Sequence, residues 1–254
     1  MNLTADVQWL SSVLLASVRV GAVFLFTPIL AVTQVPVRIR VLIVLGLAAV
    51  LVTSLPALPA HTPHSLGALL QSGAMELLVG VVMAFGVLCA FAVFNVAGRI
   101  LDSQMGFGVA DLIDPSTQEH TALMGAFLSM VAVMVFFLID GHHLLLRGLA
   151  YSFKTVPLGQ GLSEMNLSAI VAQFGYMFAF ALMAIAPAMF GILLLDIGMG
   201  VMARSMPQVN IFFVSFPLKI FLGLVLTAVS IRYIWPMLLK VFTSIFTFWE
   251  EVLV

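Results

Sequence analysis

The stretch Asp196–Ile220, DIGMGVMARSMPQVNIFFVSFPLKI, decides the fold because it places charged and polar residues between two long apolar runs. Asp196, Gly200 and Arg204 are spaced by four residues, so they lie on one face of a helix. Charges in an apolar helix are costly unless neighbouring protein or water covers them. The stretch therefore predicts a break between two membrane-depth helices, with a polar surface around it.

The second half of the stretch predicts where the break lies. Pro207 stops the first helix, and Gln208 and Asn210 offer side-chain amides directly after it. Pro217 and Lys219 open the next helix, since proline is tolerated in a first turn. An ordinary polar turn between two helices is the alternative, and the residues alone leave both interpretations open.

The composition is that of an integral membrane protein. Of 254 residues, 63% are hydrophobic and 8% are charged, and the mean hydropathy is +1.20. Soluble domains average about 45–50% apolar and about 25% charged residues. The net charge of −1 and the lack of a basic run predict no nucleic-acid partner. The single cysteine, Cys89, excludes an intrachain disulfide.

Six apolar blocks predict an all-α, multi-pass membrane fold built from helical hairpins. A helix of about 20 residues crosses a bilayer core. Two of the blocks are much longer, which predicts tilt or kinks, and Pro187 is the expected kink in the fifth block. The blocks are residues 7–32, 37–59, 66–97, 121–139, 167–203 and 218–249.

A stripe on the third block predicts close helix packing. Ser72, Glu76, Gly80 and Ala84 recur every four residues, and small residues let membrane helices approach closely. Glu76 is the only carboxylate of this block, so it needs a donor such as an arginine; a proton relay is the alternative role. Arg19, in the middle of the first block, must face protein or water for the same reason.

The most polar internal stretch is RILDSQMGFGVADLIDPSTQEH, residues 99–120. Glycines on both sides of an aromatic residue give it conformational freedom, and interleaved apolar residues allow it to seal a cavity as a stopper. A solvent-exposed connector is the alternative, and the residues alone favour neither. The residues that define the segment are Gly106, Phe107, Gly108, Asp111, Asp114 and Pro115.

Asp140, His143 and Arg147 follow the fourth block at helical spacings of three and four residues. A metal site needs a third ligand that the sequence does not place. A hydrogen-bonded cluster at a helix end is therefore expected, and no metal or cofactor is predicted. In the last block, the aromatic residues, Trp249 among them, predict a membrane-interface position.

Enzymatic motifs are absent: the sequence contains no HExxH, GxSxG, Walker or dinucleotide-binding pattern. A secondary transporter or small-solute channel is the rival function, because broken helices and intramembrane charges occur in such proteins. That fold requires internal repeats, and none of convincing length is found. A chain whose charges are covered by other subunits is the other interpretation, and the residues alone leave both open.

PQVNIFFVSFPLKI (207–220) resembles the PQ-N-V-F…FPLKI hallmark of the FliR family, core subunits of the flagellar type III protein-export gate. Related injectisome subunits resemble it more loosely. Arg99, Asp102 and Ser215 depart from the family pattern, which has an acidic residue at the first position and glycines at the other two. The other matching segments are VPVRIR (35–40), ELLVG (76–80), AG (97–98), QMGF (104–107), IDP (113–115) and DGHHLLLR (140–147).

This resemblance implies a subunit of a helical, hetero-oligomeric channel in the bacterial inner membrane, at the flagellar basal body. Unfolded rod, hook and filament proteins pass through that channel. The implied partners are FliP-like and FliQ-like membrane subunits, with FlhB-like and FlhA-like export components. Energy comes from other components, so no catalytic residue is expected. The equivalent subunit of a virulence injectisome is the alternative.

The resemblance also implies roles for the residues named above. The 106–120 segment resembles the loop that plugs the closed channel, and Glu76, Asp196 and Arg204 are expected to make buried polar contacts. The expected parts of the chain are N-terminal hairpins (1–97), a plug-like loop (98–120), central helices (121–203) and a C-terminal hairpin region (204–254). The expected contacts with FliQ-like neighbours are Pro207, Gln208, Asn210, Phe216, Pro217 and Lys219.

Overall fold

The computed structural model describes residues 3–26, 36–54, 65–107, 122–161, 166–206, 208 and 210–253. Within these ranges the regular structure is helical and no strand is present, which confirms the all-α prediction. The helices are α1 (Leu3–Phe26), α2 (Val37–Ser54), α3 (Leu66–Met105), α4 (Leu123–Leu138), α5 (Gly141–Thr155), α6 (Leu167–Ser205) and α7 (Ile211–Leu253).

Five helices of the described ranges, α1, α2, α3, α6 and α7, are long and apolar enough to cross a membrane. The bent pair α4 and α5 makes a sixth if it forms one broken span. α3, α6 and α7 contain 40, 39 and 43 residues, against about 20 that a bilayer core requires. The multi-pass prediction is confirmed. α6 continues through Pro187 as one helix, so a kink there stays a prediction.

The start of α7 differs from the prediction. The helix begins at Ile211, and the amide of Phe213 donates to the carbonyl of Asn210 in its first turn, at 3.2 Å. Pro217 therefore lies inside α7 instead of opening it, and that prediction was wrong. A proline at this position removes the bond to the carbonyl of Phe213, which membrane helices tolerate when neighbouring groups satisfy the carbonyl.

A second difference is that α5 forms a helix of its own. The residue before it, Asp140, has a left-handed backbone (φ 55°, ψ 31°), which separates α5 from α4. The sequence predicted only a cluster at a helix end here, because a left-handed aspartate has no clear local signal.

Contacts divide the chain into two compact units, each assembled from separate stretches. Unit 1 contains Met1–Ala90, Phe136–Gln173 and Phe242–Val254, and unit 2 contains Phe91–Val135 and Phe174–Val241. The four sequence-based parts (1–97, 98–120, 121–203 and 204–254) concern function and stay a prediction.

In unit 1, helices pack closely at glycines. A Cβ on Gly80 of α3 would lie 2.6 Å from the Cβ of Ala22 in α1, so the stripe on α3 is confirmed as a packing face. Trp249 of α7 is 2% exposed and donates its indole N–H to the carbonyl of Met83, at 2.9 Å. Its ring packs on Gly148 of α5. Trp249 therefore packs inside unit 1, and its predicted membrane-interface position stays a prediction.

In unit 2, glycines again set the closest approaches. Gly98 of α3 lies against the backbone of Met124 and Gly125 in α4, and Gly223 of α7 lies against Met105. Neither glycine has room for a Cβ, which is typical of helices in membranes. The buried apolar side chains of unit 2 include Phe94, Ala97, Leu101, Ala132, Ile185, Ala188 and Ile192.

Candidate functional site

Unit 1 contains a fully buried ion pair between α1 and α3. Arg19 donates from Nε to Oε2 of Glu76 at 2.7 Å and from Nη2 to Oε1 at 3.0 Å. Both side chains are 0% exposed. This two-bond geometry is the strong form of an arginine–carboxylate contact. It supplies the donor that a carboxylate in the middle of α3 requires.

Carbonyl groups at the end of α5 complete the cluster around Arg19. Nη1 donates to the carbonyl of Ser152 at 3.0 Å and to its hydroxyl at 3.3 Å, and Nη2 donates to the carbonyl of Val156 at 3.0 Å. A cation is favourable at a helix C-terminus, and the carbonyl of Ser152 accepts from Arg19 in addition to the amide of Val156. The ring of Phe153 lies 4.5 Å from the guanidinium carbon. Every N–H of the guanidinium thus has an acceptor.

Glu76 has one further donor. The backbone amide of Gly159 donates to Oε1 at 2.8 Å. Gly159 has φ +82°, a backbone conformation that favours glycine, and a Cβ there would lie 3.1 Å from the hydroxyl of Ser72. The cluster links α1, α3 and the turn after α5, so its chemistry is that of a structural clamp. Sequence reasoning found Arg19 and Glu76 but not Ser152, Val156 and Gly159, which contribute mainly backbone groups.

Unit 2 contains a carboxylate that caps a helix. Asp102, near the end of α3, accepts from the amides of Met124 at 3.0 and 3.1 Å and of Gly125 at 3.2 Å. These amides belong to the first turn of α4, where free N–H groups favour an anion. The sequence assigned Asp102 no role, because it departs from the family pattern and lies far along the chain from the helix it caps.

The end of α3 faces α7 within unit 2. Gly106 and Phe107 donate to the carbonyl of Asp102 at 3.1 and 3.0 Å, which closes the helix. Gly106 has φ +87°, and a Cβ there would lie 2.7 Å from the ring of Phe216. Phe107 is half-buried. The structure thus brings together Gly106, which the sequence placed in a plug, and Phe216, which it placed in the C-terminal hairpin. The other predicted plug residues, Gly108, Asp111, Asp114 and Pro115, lie outside the described residues.

Around the break between α6 and α7, Asp196 pairs with Lys219. Nζ of Lys219 lies 2.6 Å from Oδ1 of Asp196, with 24% and 40% of the two side chains exposed. Arg204, which shares a helix face with Asp196, is exposed. Asp196 thus makes a partly buried polar contact with α7, and the fully buried contacts expected for Asp196 and Arg204 stay a prediction.

The amides of the break are also open. Gln208 and Asn210 are exposed, Pro217 is exposed, and Phe216 is half-buried. Pro207 lies outside the described residues. Large apolar side chains nearby are exposed as well: Ile197, Val201, Met202, Met206, Phe213, Val214, Leu218 and Phe221.

The fold and this site define an α-helical, multi-pass membrane protein with one internally complete ion cluster and one open polar break. Comparison with known proteins gives the particular kind. The chain is 30% identical to the flagellar biosynthetic protein FliR of Bacillus subtilis, over 91% of this chain and 90% of that protein. It is 29% identical to FliR of Escherichia coli, over 97% and 94%. It is 28% identical to the secretion system apparatus protein SsaT of Salmonella typhimurium, over 62% of each.

The chain belongs to the bacterial export proteins, family 1, whose model matches residues 10–246. It is a multi-pass inner-membrane subunit of a type III export gate, of the kind that flagellum biosynthesis uses. These findings do not favour the secondary transporter or solute channel.

Proposed function

We propose that the chain is a non-catalytic, channel-forming subunit that assembles with FliP-like and FliQ-like membrane subunits and works with FlhB-like and FlhA-like components. Unfolded rod, hook and filament proteins then pass through the assembled channel. The observation that carries this proposal is the open polar break between α6 and α7. Gln208 and Asn210 lie exposed, and the Asp196–Lys219 pair lies partly exposed, among apolar side chains.

Physical chemistry supports a protein cover for this surface. α6 and α7 are membrane spans by length and composition, and polar groups at membrane depth are tolerated where protein or a water-filled cavity surrounds them. Side-chain amides serve well in such contacts, since an amide donates and accepts hydrogen bonds. Unlike neighbouring subunits fulfil this requirement, and the exposed apolar residues around the break supply packing area.

Comparisons support flagellar use over injectisome use. The FliR proteins of B. subtilis and E. coli align with 91% and 97% of this chain. SsaT aligns with 62%, and the surface presentation of antigens protein SpaR of Shigella flexneri with 59%. The proposal therefore assigns flagellar proteins as the exported substrates.

The proposal also gives the 106–120 segment the role of closing the resting channel. The support is at the start of the segment: α3 ends at Met105, and the positive φ of Gly106 turns the backbone where Phe216 of α7 packs. Residues 108–121 lie outside the described part of the chain, so the role of Asp111, Asp114 and Pro115 rests on the resemblance alone.

The assembly is tested by Gln208→Leu with Asn210→Leu, co-produced with the other membrane subunits. Loss of the two amides is expected to lower recovery of the complex on a tagged partner. The matched control is Gln160→Leu, which replaces an exposed amide in unit 1 and should leave recovery unchanged. Full recovery of the double variant would show that these amides are not at an interface.

The closing role is tested by deletion of residues 106–114. The assembled complex should then leak small ions in a membrane-potential assay, and a chain with Gln160→Leu should not. Unchanged ion permeability with normal complex assembly would contradict the plug while leaving the assembly proposal intact.

A further inference from the structure

The start of α5 carries a cluster of side chains that has no place in the export function described above. One ligand atom from each of Asp140, His142 and His143 lies within 4.8 Å of the other two. We propose that these residues form a binding site for a divalent transition-metal ion of the Zn²⁺ class. Two imidazoles and one carboxylate are a ligand set that suits Zn²⁺ and its neighbours.

His142 raises the number of possible ligands at this site from two to three. Asp140 and His143 are an expected pair, with Nδ1 and Oδ1 3.6 Å apart and side chains that are 74% and 62% exposed. Two ligands are too few for a stable ion. His142 adds the third, because its ring lies against that of His143 with centroids 4.1 Å apart.

Two of the three candidate ligands, His142 and Asp140, have side-chain polar groups that lack the hydrogen bonds expected of them. Nδ1 of His142 is the buried side-chain polar atom that has no hydrogen-bond partner in the described part of the chain. An imidazole nitrogen without a partner is unfavourable. Asp140 precedes the helix, yet its carboxylate makes no capping bond to α5. Neither of these groups would have to break an existing hydrogen bond to bind an ion.

The distances are compatible with ligation after small side-chain rotations. Metal–ligand bonds of about 2.0 Å in tetrahedral geometry place ligand atoms about 3.3 Å apart. The ligand atoms now lie up to 4.8 Å apart. Rotation of the exposed side chains of Asp140 and His143 would shorten these distances to about 3.3 Å. Water would take the fourth position. The helix N-terminus disfavours a cation, and the negative charge of Asp140 offsets this effect.

A bound ion would hold the first turn of α5 and the left-handed backbone of Asp140 in place. All three ligands lie within four consecutive residues at the break between α4 and α5. Metal binding then adds stability to the folded chain, because an unfolded segment rarely presents the same ligand geometry.

The test uses the full chain, co-purified with the other membrane subunits in mild detergent, with an affinity tag that lacks histidine. After treatment with a chelator, the complex is titrated with Co²⁺, whose visible spectrum reports its ligands. The wild-type chain should bind Co²⁺ at this site with higher affinity than His143→Ala. Removal of an outer-shell partner typically costs about 10–100-fold in metal affinity, so loss of His143 as a ligand should weaken binding by at least about tenfold.

Two controls keep the result interpretable. His61→Ala with His64→Ala removes the other close histidine pair of the sequence and should leave Co²⁺ binding unchanged. Asp140→Asn preserves side-chain size and should weaken binding, with a lower gain in melting temperature on Zn²⁺ addition than wild type. Equal binding by wild type and His143→Ala, at equal helix content, would overturn the proposal, as would an equal loss in the His61/His64 variant.

Discussion

Two ion pairs of almost the same length lie in different units and have opposite surroundings. Nε of Arg19 lies 2.7 Å from Oε2 of Glu76, and neither side chain is exposed. Nζ of Lys219 lies 2.6 Å from Oδ1 of Asp196, with 24% and 40% of the side chains exposed. The first pair is complete within the chain, because Ser152 of α5 and the carbonyl of Val156, directly after α5, accept the remaining arginine protons.

Under the proposed assembly, the first pair stabilises the fold of the subunit and the second belongs to the surface that neighbouring subunits cover. A buried pair is costly to create and very costly to break, since the remaining charge has no water. An exposed pair contributes little to the stability of the chain that carries it. Substitutions in unit 1 should therefore destabilise the subunit, and substitutions at the break should spare the subunit and weaken the complex.

The largest effect is expected from Glu76→Leu. This change leaves the Arg19 guanidinium buried without a counter-charge and should lower the free energy of unfolding by about 3–5 kcal/mol. Denaturant unfolding in detergent micelles and the amount of chain in the membrane measure it. Arg19→Met with Glu76→Leu removes both charges and should recover a large part of the loss. A double variant as unstable as the single one would show that the two residues are not coupled.

A smaller loss is expected from Gly106→Ala in unit 2. A left-handed backbone costs a residue with a Cβ about 1–2 kcal/mol, and the added carbon also meets the ring of Phe216. Thermal unfolding checks the prediction. Gly198→Ala is the matched control, because a Cβ on this helical glycine of α6 meets nothing within 4 Å; it should be neutral or stabilising. Equal melting temperatures for Gly106→Ala and wild type would show that a Cβ at position 106 causes no backbone strain.

Loss of the cap on α4 should be smaller again. Asp102→Ala removes the acceptor of the Met124 and Gly125 amides, and a lost cap costs about 0.5–2 kcal/mol. Hydrogen exchange of the first turn of α4 measures it, with faster exchange expected. Asp102→Asn keeps one acceptor oxygen and should exchange at an intermediate rate. Unchanged exchange in Asp102→Ala would mean that the carboxylate does not hold this turn.

The smallest effect on the subunit is expected from Asp196→Asn with Lys219→Met. Removal of an exposed pair should change the free energy of unfolding by about 0–1 kcal/mol, while recovery of the heteromeric complex falls. Lys154→Met, which removes an exposed cation of unit 1, should leave recovery of the complex unchanged. A large loss of subunit stability with normal assembly would remove the distinction between the two ion pairs.

Much of the fold follows from the sequence, because apolar length alone predicts membrane helices. The packing face of α3 was also predictable, since Gly80 and Glu76 recur at helical spacing. What the sequence did not show depends on contacts distant in the chain. Trp249 is buried because α3 offers it a carbonyl acceptor and α5 offers it a glycine, and no local pattern shows this.

The candidate sites divide in the same way. Arg19 and Glu76 were identifiable because a charge in an apolar helix requires a partner, whereas the acceptors of α5 are backbone atoms that any sequence carries. Pro217 was misplaced because a proline in a first turn and one inside a membrane helix look alike locally. His142 was missed as a neighbour of the Asp140–His143 pair because adjacent residues in a regular helix point in different directions.

The most direct test of whether unlike subunits cover the break between α6 and α7 is native mass spectrometry. The tagged chain is released for it from membranes that contain the other export subunits. The chain is expected to appear in a heteromeric complex with unlike membrane subunits, and this population should decrease for Asp196→Asn with Lys219→Met. A chain recovered only as a stable monomer or homo-oligomer would contradict a break completed by unlike neighbours.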